Sequence, residues 1–388
     1  MSPPIILTAA EDRLFTGLPD GKVAEALRSR GLPTRRTEAW RWSDLRSALR
    51  DAKAPSGAYA AADPAPLLDV PEAITVTCRN GEWAVPDLPD GIRVSLDAPR
   101  PALLPDADLG SLATIARVLT VEVDAGFDAP LVVRRLSDGQ GTHADRLDLR
   151  LAPHGTATLI ETHEATGTPF ANSLTELEIG EGAVLTRTIA QPVAPDAVII
   201  ATTLAALGEG AALAQTTLCL GAALARHELR LRQGAGSTAR ADTLYALGDQ
   251  RHHDTTVHVD FSGEGAACDV LAKGTAAGRA RGVFQGKFHV ARGAQHTDAR
   301  MAHHALILEQ GAQVNAKPEL EIYADDVECA HGNTVGALDA EHLFYLRQRG
   351  LPDEAARRVL IDAFASEVLE RAPETLHDQL TALFGARP

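Results

Sequence analysis

One Cys–His pair in this 388-residue chain has the spacing to act as a unit. It lies in the stretch Lys317-Pro-Glu-Leu-Glu-Ile-Tyr-Ala-Asp-Asp-Val-Glu-Cys-Ala-His-Gly332. Leu320 and Ile322 alternate with Glu319, Glu321 and Tyr323 as on a strand, Asp325-Asp326 reads as a turn, and a second short strand follows. A period of two puts Val327, Cys329 and His331 on one face of that second strand, successive residues of the face lying about 6–7 Å apart. A thiol and an imidazole that close suit a soft or borderline metal, or a shared proton. The plainer alternative makes Cys329 a small core residue beside Val327 and His331 an interior or turn histidine, since free cysteine is among the most buried residue types.

Histidine is the other residue type with chemical potential. Seven of the fourteen fall in one region: His252, His253, His258, His289, His296, His303 and His304. On a strand His252, Asp254, Thr256 and His258 share a face, a set with metal-ligand chemistry, although scattered imidazoles in polar turns more often bind nothing. Cys78, Cys219 and Cys268 are far apart and form no C-x-x-C, which argues against a zinc ribbon, a thioredoxin-type motif or a disulfide scaffold. There is no G-x-x-x-x-G-K-[ST], G-x-S-x-G or H-E-x-x-H, so the common nucleotide, hydrolase and metalloprotease signatures fail.

The totals bound the class. Apolar residues at 45% and charged ones at 23% indicate a globular chain rather than a disordered one. A formal charge of −15 argues against nucleic acid or an anionic membrane as the main partner. The start of the chain has neither the basic region nor the apolar stretch of a secretory signal, and the most apolar window, Val193 to Leu207, is broken by Pro195 and Asp196. The cytoplasm is the expected location.

The elements that must hold the Cys–His pair divide the chain in three: a helical segment and linker at 1–68, a β region at 69–336, and a helical region at 337–388. In the first, Thr8 and Glu11 have capping-box spacing, and Val23, Ala26 and Leu27 form an apolar stripe closed by Gly31 and Pro33. Trp40 is expected to pin this small helical segment together, and 51–68 is Ala/Pro/Gly-rich like a linker.

In the middle region strand alternation recurs at Thr75-Val-Thr, Val121-Glu-Val, Leu131-Val-Val and Leu147-Asp-Leu-Arg-Leu. A Gly-Ala turn phrase then repeats at Ile179–Ala183, Leu207–Ala211, Arg232–Ala235, Ser262–Ala266, Ala291–Ala294 and Glu309–Ala312. Gaps of roughly 20–30 residues fit stacked coils, in which glycine supplies positive φ and the small alanine lets the next coil approach. A parallel β-helix accounts for six such phrases better than an antiparallel sandwich with Gly-rich hairpins. The Gly-Gly-x-Gly-x-Asp calcium repeat is absent, so the turn glutamates read as solvated.

After Gly336, Asp339 is an N-cap for a helix Ala340–Arg349 ending at Gly350. A second helix from Pro352 is expected to bury Val359, Leu360, Ala363, Phe364, Val368 and Leu369, and a third carries Leu376, Leu380 and Leu383.

Taken together, Lys317 to Gly336, then Leu338-Asp through Leu343-Phe-Tyr-Leu-Arg-Gln-Arg-Gly350, resembles the SufB/SufD family of iron–sulfur cluster assembly proteins. Pro33 to Leu45, with its Glu-Ala-Trp-Arg-Trp, is similar to the amino-terminal signature of the SufD branch. Two differences from the SufB branch point the same way: His303-His304 stands near the place of an upstream scaffold cysteine, and His331-Gly332 replaces His-Glu. Asn333 departs from the more usual Ala.

The resemblance implies a mainly β protein, a right-handed parallel β-helix (solenoid) flanked by N-terminal and C-terminal α-helical segments. It also implies a non-ATPase scaffold subunit that pairs with SufB and binds the SufC ATPase through its carboxy-terminal helices. Cys329 and His331 would then be the pair handling iron or a nascent cluster at the SufB–SufD junction, and Phe344, Tyr345 and Arg347 would lie beside the SufC contact. No cluster is expected to be held stably by the isolated chain, because one Cys and one His are an incomplete ligand set. Exposed end strands make a homodimer of the isolated chain plausible. Two other readings are a carbohydrate-active β-helix enzyme, disfavoured by only 4% aromatic residues, and a purely structural subunit in which Cys329 and His331 are inert.

Overall fold

In this computed structural model, residues 31–50, 64–98 and 116–386 are described, with 7, 8, 11, 12, 25, 28 and 29. The expected stripe at Val23, Ala26 and Leu27, and linker residues 51–63, lie outside the described residues.

The middle of the chain is a parallel β-solenoid whose coils each contribute one strand to each of two sheets. The first sheet stacks β5 (Leu131–Ser137), β7 (Thr156–Ala165), β9 (Val184–Gln191), β11 (Ala212–Cys219), β13 (Thr238–Leu247), β15 (Ala267–Ala276), β17 (Asp298–Ile307) and β19 (Glu328–Gly336). The second stacks β4 (Val118–Val123), β6 (Thr142–Leu151), β8 (Phe170–Ile179), β10 (Ala194–Leu207), β12 (Ala222–Gln233), β14 (His252–Phe261), β16 (Arg281–Val290) and β18 (Gln313–Ile322). The apolar window at Val193–Leu207 is thus the strand β10. Among the described residues no helix is long and apolar enough to cross a membrane.

Register turns the alternation into columns along the rod. Leu149, Leu177, Ala205, Leu231, Val259 and Phe288 lie one above another, all buried, and Leu320 ends the column half-exposed. On the opposite wall Ala157, Leu185, Leu213, Ala239, Cys268 and Ala299 form a second buried column, which ends in Cys329. Each buried large aliphatic is worth about 1.5–3 kcal/mol against exposure, so the columns bind coil to coil.

The glycine phrases divide their labour more finely than the sequence suggests. The second glycine takes positive φ (Gly182, Gly210, Gly236, Gly265), and its N–H reaches the turn of the next coil at 2.8 Å in each case. The first glycine permits close approach: a Cβ on Gly263 would lie 2.1 Å from the Ala235 nitrogen. The following alanine faces the core, as at Ala183, Ala211, Ala266 and Ala294. In the third phrase Ser237, not Ala235, holds that core position. Glu309–Ala312 belongs to the opposite edge, between β17 and β18, where Ala277–Ala280 is its neighbour. The turn glutamates Glu181, Glu209 and Glu264 are exposed.

Part of the interior is polar. Glu161 bridges Arg135 and Arg187, Arg135 also holds Asp145 at 2.7 Å, and Arg187 donates to Thr203 and Gln215 at 2.8 Å. Burial pushes the Glu161 pKa up, but the two guanidiniums outweigh it and hold the carboxylate below its ordinary range. His163, His227, His253 and His303 are also buried, and burial pushes each pKa down, His227 and His303 to about 4.

The flanking segments pack on the outer faces. Trp40 lies beneath the Arg226 guanidinium, 4.3 Å from ring to carbon, and packs with Phe170, Val198, Ile200 and Leu224. It therefore fastens the amino-terminal segment to the solenoid instead of only pinning that segment together. The Thr8–Glu11 capping box forms as expected. Leu68, at the end of the expected linker, is buried against Val132 and Ile160.

The carboxy-terminal helices are α2 (Ala340–Gln348), capped by Asp339, α3 (Asp353–Leu369) and α4 (His377–Gly385); α1 is the short Leu45–Ala48 helix near the start. Helix α3 lays Ile361, Ala365, Val368 and Leu369 on Leu218, Leu244 and Leu271 of the first sheet. Its expected inner residues Val359 and Ala363 are exposed instead. The sheet takes the stripe that runs through Ile361 and Ala365.

The two ends of the rod differ. At the start, β1 (Ile74–Arg79) pairs antiparallel with β2 (Glu82–Ala84), and β3 (Ile92–Asp97) pairs antiparallel with β4, breaking the stack. Trp83 and Leu88 pack against the apolar core there. At the other end β18 and β19 are the outer strands of their sheets, and no described strand pairs with their free edges.

Two stability outcomes follow. Gly263→Ala should destabilise by about 3 kcal/mol, because backbone blocks the new Cβ, whereas Gly210→Ala, with open space but positive φ, should lose about 1 kcal/mol; equal losses of urea midpoint would contradict the stacking role. Each buried histidine has a folded pKa below its unfolded value, so its stabilising effect is present above about pH 6.5 and is lost as pH falls towards 4. The urea midpoint should therefore drop steeply between pH 7 and 5, and a flat profile would show that these rings are not held neutral.

Candidate functional site

The open end is where the expected pair sits. Register places Cys329 beside Ala299, His331 beside Met301, Asn333 beside His303 and Val335 beside Ala305. Those four residues of β17 are buried in the interior, so their partners on β19 occupy the same inward row. No described strand stacks beyond β19, and Cys329 is half-buried while His331, Asn333 and Val335 are exposed. Across from them β18 offers Ala316, Pro318 and Leu320, half-buried, and Ile322, exposed, continuing the row of Phe284, Phe288 and Val290.

Cys329 lies at the boundary between core and solvent. It packs with Val327 against the end of the apolar core, and it borders a row that faces solvent. Burial, with Asp298 second, pushes its thiol pKa above the ordinary value. The free thiol is therefore protonated at neutral pH and would release a proton on taking up a metal. Among the described residues no three His, Cys, Asp or Glu side chains gather to hold a metal ion.

The strand face His252, Asp254, Thr256 and His258 does not assemble as a metal set. Asp254 is taken by Arg226 at 2.7 Å and by Ser43, while His252 is 3.3 Å from Ser43. His258 turns to Asp260 at 3.6 Å. The amino-terminal segment uses this face as a docking platform, which spends its acceptors.

Phe344, Tyr345 and Arg347 all lie on α2. Phe344 is 64% and Tyr345 56% exposed, and Arg347 is paired with Asp353 at 3.4 Å. Val359 of α3, expected inside, is 45% exposed. The reading also missed the pairing of His303 with Asn333. Register partners one coil apart differ by 26 to 32 residues, a spacing that only the fold supplies, and His303 and Asn333, 30 apart, fall within it.

A parallel two-sheet solenoid with a Cys-x-His pair on its last inward row defines a class of protein. Residues 134–364, more than half of the chain, match the SufBD core domain of SUF-system Fe–S cluster assembly, and the chain belongs to this family. It is 38% identical over 205 residues to a SufBD family iron–sulfur cluster assembly protein of Synechocystis, a stretch covering 53% of the chain and 45% of that relative. To the iron–sulfur cluster assembly protein SufD of Escherichia coli it is 37% identical over 183 residues, 47% of the chain and 43% of the relative. The matched stretches thus span less than half the length of these two. A SufBD family protein of Mycobacterium bovis is 29% identical over 362 residues, covering 90% of the chain and 88% of the relative.

The burial pattern makes a labelling prediction. Cys78, Cys219 and Cys268 are buried, with thiol pKa values pushed up by burial, so iodoacetamide on the native chain should modify Cys329 first and faster as pH rises. Peptide mass mapping that found the four cysteines labelled at one rate would contradict the open end.

Proposed function

We propose that this chain is the SufD-type subunit of a Suf assembly complex: it pairs with SufB through β18 and β19, binds the SufC ATPase through α2 and α3, and supports iron or cluster handling at the seam. The observation that carries the reading is the uncovered inward row at the end of the rod, which sets Cys329 and His331 on the surface a second solenoid would close. Edge strands with free N–H and C=O groups favour addition of another strand, and the apolar row Ala316, Pro318, Leu320, Ile322 and Val335 favours a partner that continues the core.

The division of labour follows from what the chain contains. Without a P-loop it is a scaffold and not an enzyme, and ATP hydrolysis belongs to SufC. Iron or a nascent cluster is the cargo. Cys329 supplies a thiolate after losing its proton, His331 supplies a neutral nitrogen lone pair, and SufB supplies the remaining ligands. The cargo is transient, and the isolated chain holds none stably. Phe344, Tyr345 and Val359 supply apolar anchors for SufC, and Arg347, braced by Asp353, a charged contact. The complex is cytoplasmic, and in the absence of SufB two copies of the chain pair through the same edges.

Reconstitution with SufB and SufC tests this. Cys329→Ser and His331→Ala should each lower cluster yield about tenfold or more while the three proteins still copurify, and Tyr345→Asp should weaken SufC binding by roughly 30-fold, about 2 kcal/mol. Unchanged yield in both seam variants would reduce the pair to a structural role.

A further inference from the structure

Behind the seam three polar side chains of the first sheet, on β13, β17 and β19, form a hydrogen-bonded chain that runs from the interior to the surface. The Tyr245 hydroxyl is 2.9 Å from His303 Nε2, and His303 Nδ1 is 2.7 Å from Asn333 Oδ1. Tyr245 and His303 are fully buried, whereas Asn333 is exposed on the row that carries Cys329 and His331. The site is built around these rings. Gly274 registers with Tyr245, and a Cβ there would lie 1.8 Å from the phenol Cζ; one on Gly282 would lie 2.8 Å from the same ring. His303 is stacked on Phe284, centroids 4.9 Å apart and planes within 4°. The ring is thus held in one orientation.

Hydrogen-bond bookkeeping fixes the direction of the chain. Tyr245 O–H is a buried donor whose partner is His303, so it must donate, since otherwise its proton would be unsatisfied. His303 Nε2 is then the acceptor, and the single N–H of the neutral ring sits on Nδ1. That N–H donates to Asn333 Oδ1, which turns the Asn333 amide N–H2 group away from His303 and towards the open end. Along the row, Asn333 is one step beyond His331, about 6–7 Å.

We propose that Asn333 is a third binding residue of the seam, whose amide N–H2 donates to the anionic sulfur of the cargo, with Tyr245 and His303 as the positioning residues that aim it. This inference rests on the seam reading given under Proposed function. It explains why a tyrosine and a histidine occupy two columns whose residues on β15 are only Gly274 and Ala272, and why two glycines clear room for the phenol. N–H donors to thiolate or sulfide stabilise the charged sulfur, so the Asn333 amide favours bound over released cargo.

The test has two arms, both on the full chain. Histidine-selective 15N NMR reads the tautomer of His303, assigned through His303→Gln. Protonated Nδ1 with acceptor Nε2 is expected, and Tyr245→Phe should move the ring to a mixed or reversed tautomer; protonated Nε2 in the unmodified chain overturns the direction. The second arm reads cluster yield and bound iron in the reconstituted complex with Asn333→Asp. This variant keeps the acceptor for His303 but replaces the N–H2 with a carboxylate oxygen. A fall of about tenfold, with the His303 tautomer unchanged, supports the proposal. If Cys329→Ser and His331→Ala lower the yield but Asn333→Asp does not, the amide is not a binding group and the seam reading survives. If none of the three lowers it, both fall together.

Discussion

A coil of a solenoid has no core of its own: its inward side chains are covered by the coils on either side, and its backbone groups by the strands above and below. Everything else in this chain follows from that dependence. The glycine turns keep successive coils close enough to share a wall, as the blocked Cβ at Gly263 and the repeated 2.8 Å turn-to-turn bonds show. The columns ending in Leu320 and Cys329 show the consequence at the last coil, where the same residue pattern continues but its cover stops. At the first coils the antiparallel strands β2 and β3 interrupt the stack. The two ends therefore differ: among the described residues only the carboxy-terminal one leaves the outer strands of both sheets with free parallel edges.

That constraint also bears on the chemistry. Side chains on an ordinary inner row would be wasted as ligands, because nothing could reach them. On the last row, Cys329 and His331 are held with the geometric regularity of a core position yet remain accessible. Further along the rod the polar interior holds buried histidines and paired charges, among them Glu161 between Arg135 and Arg187. Such a network is expensive to leave half-satisfied and so fixes which side chain faces which.

Local periodicity and repeated turns made the solenoid legible, since the alternation at Leu147–Leu151 and the phrase at Gly180–Ala183 each report a local backbone requirement. The Cys329–His331 face was legible for the same reason. What could not be read was anything that depends on coil-to-coil register. The split of the glycine phrases between two edges, the exchange of Ser237 for an alanine, and the His303–Asn333 contact all join residues far apart in sequence. Helix α3 differs from the expectation in its first half: Val359 and Ala363 are exposed, and Ile361 and Ala365 are the residues laid on the sheet. Trp40 likewise looked like a local core residue until Arg226 and Phe170 of the solenoid were placed around it.

The most direct measurement is amide hydrogen exchange on β18 and β19, with and without SufB. The free edge of each strand should exchange fast in the isolated chain at low concentration and slow by at least tenfold in the complex, while β7 to β13 stay unchanged. Formation of the complex with the β18 and β19 amides still exchanging at their free rate would mean that the partner binds elsewhere, and that Cys329 and His331 face no seam.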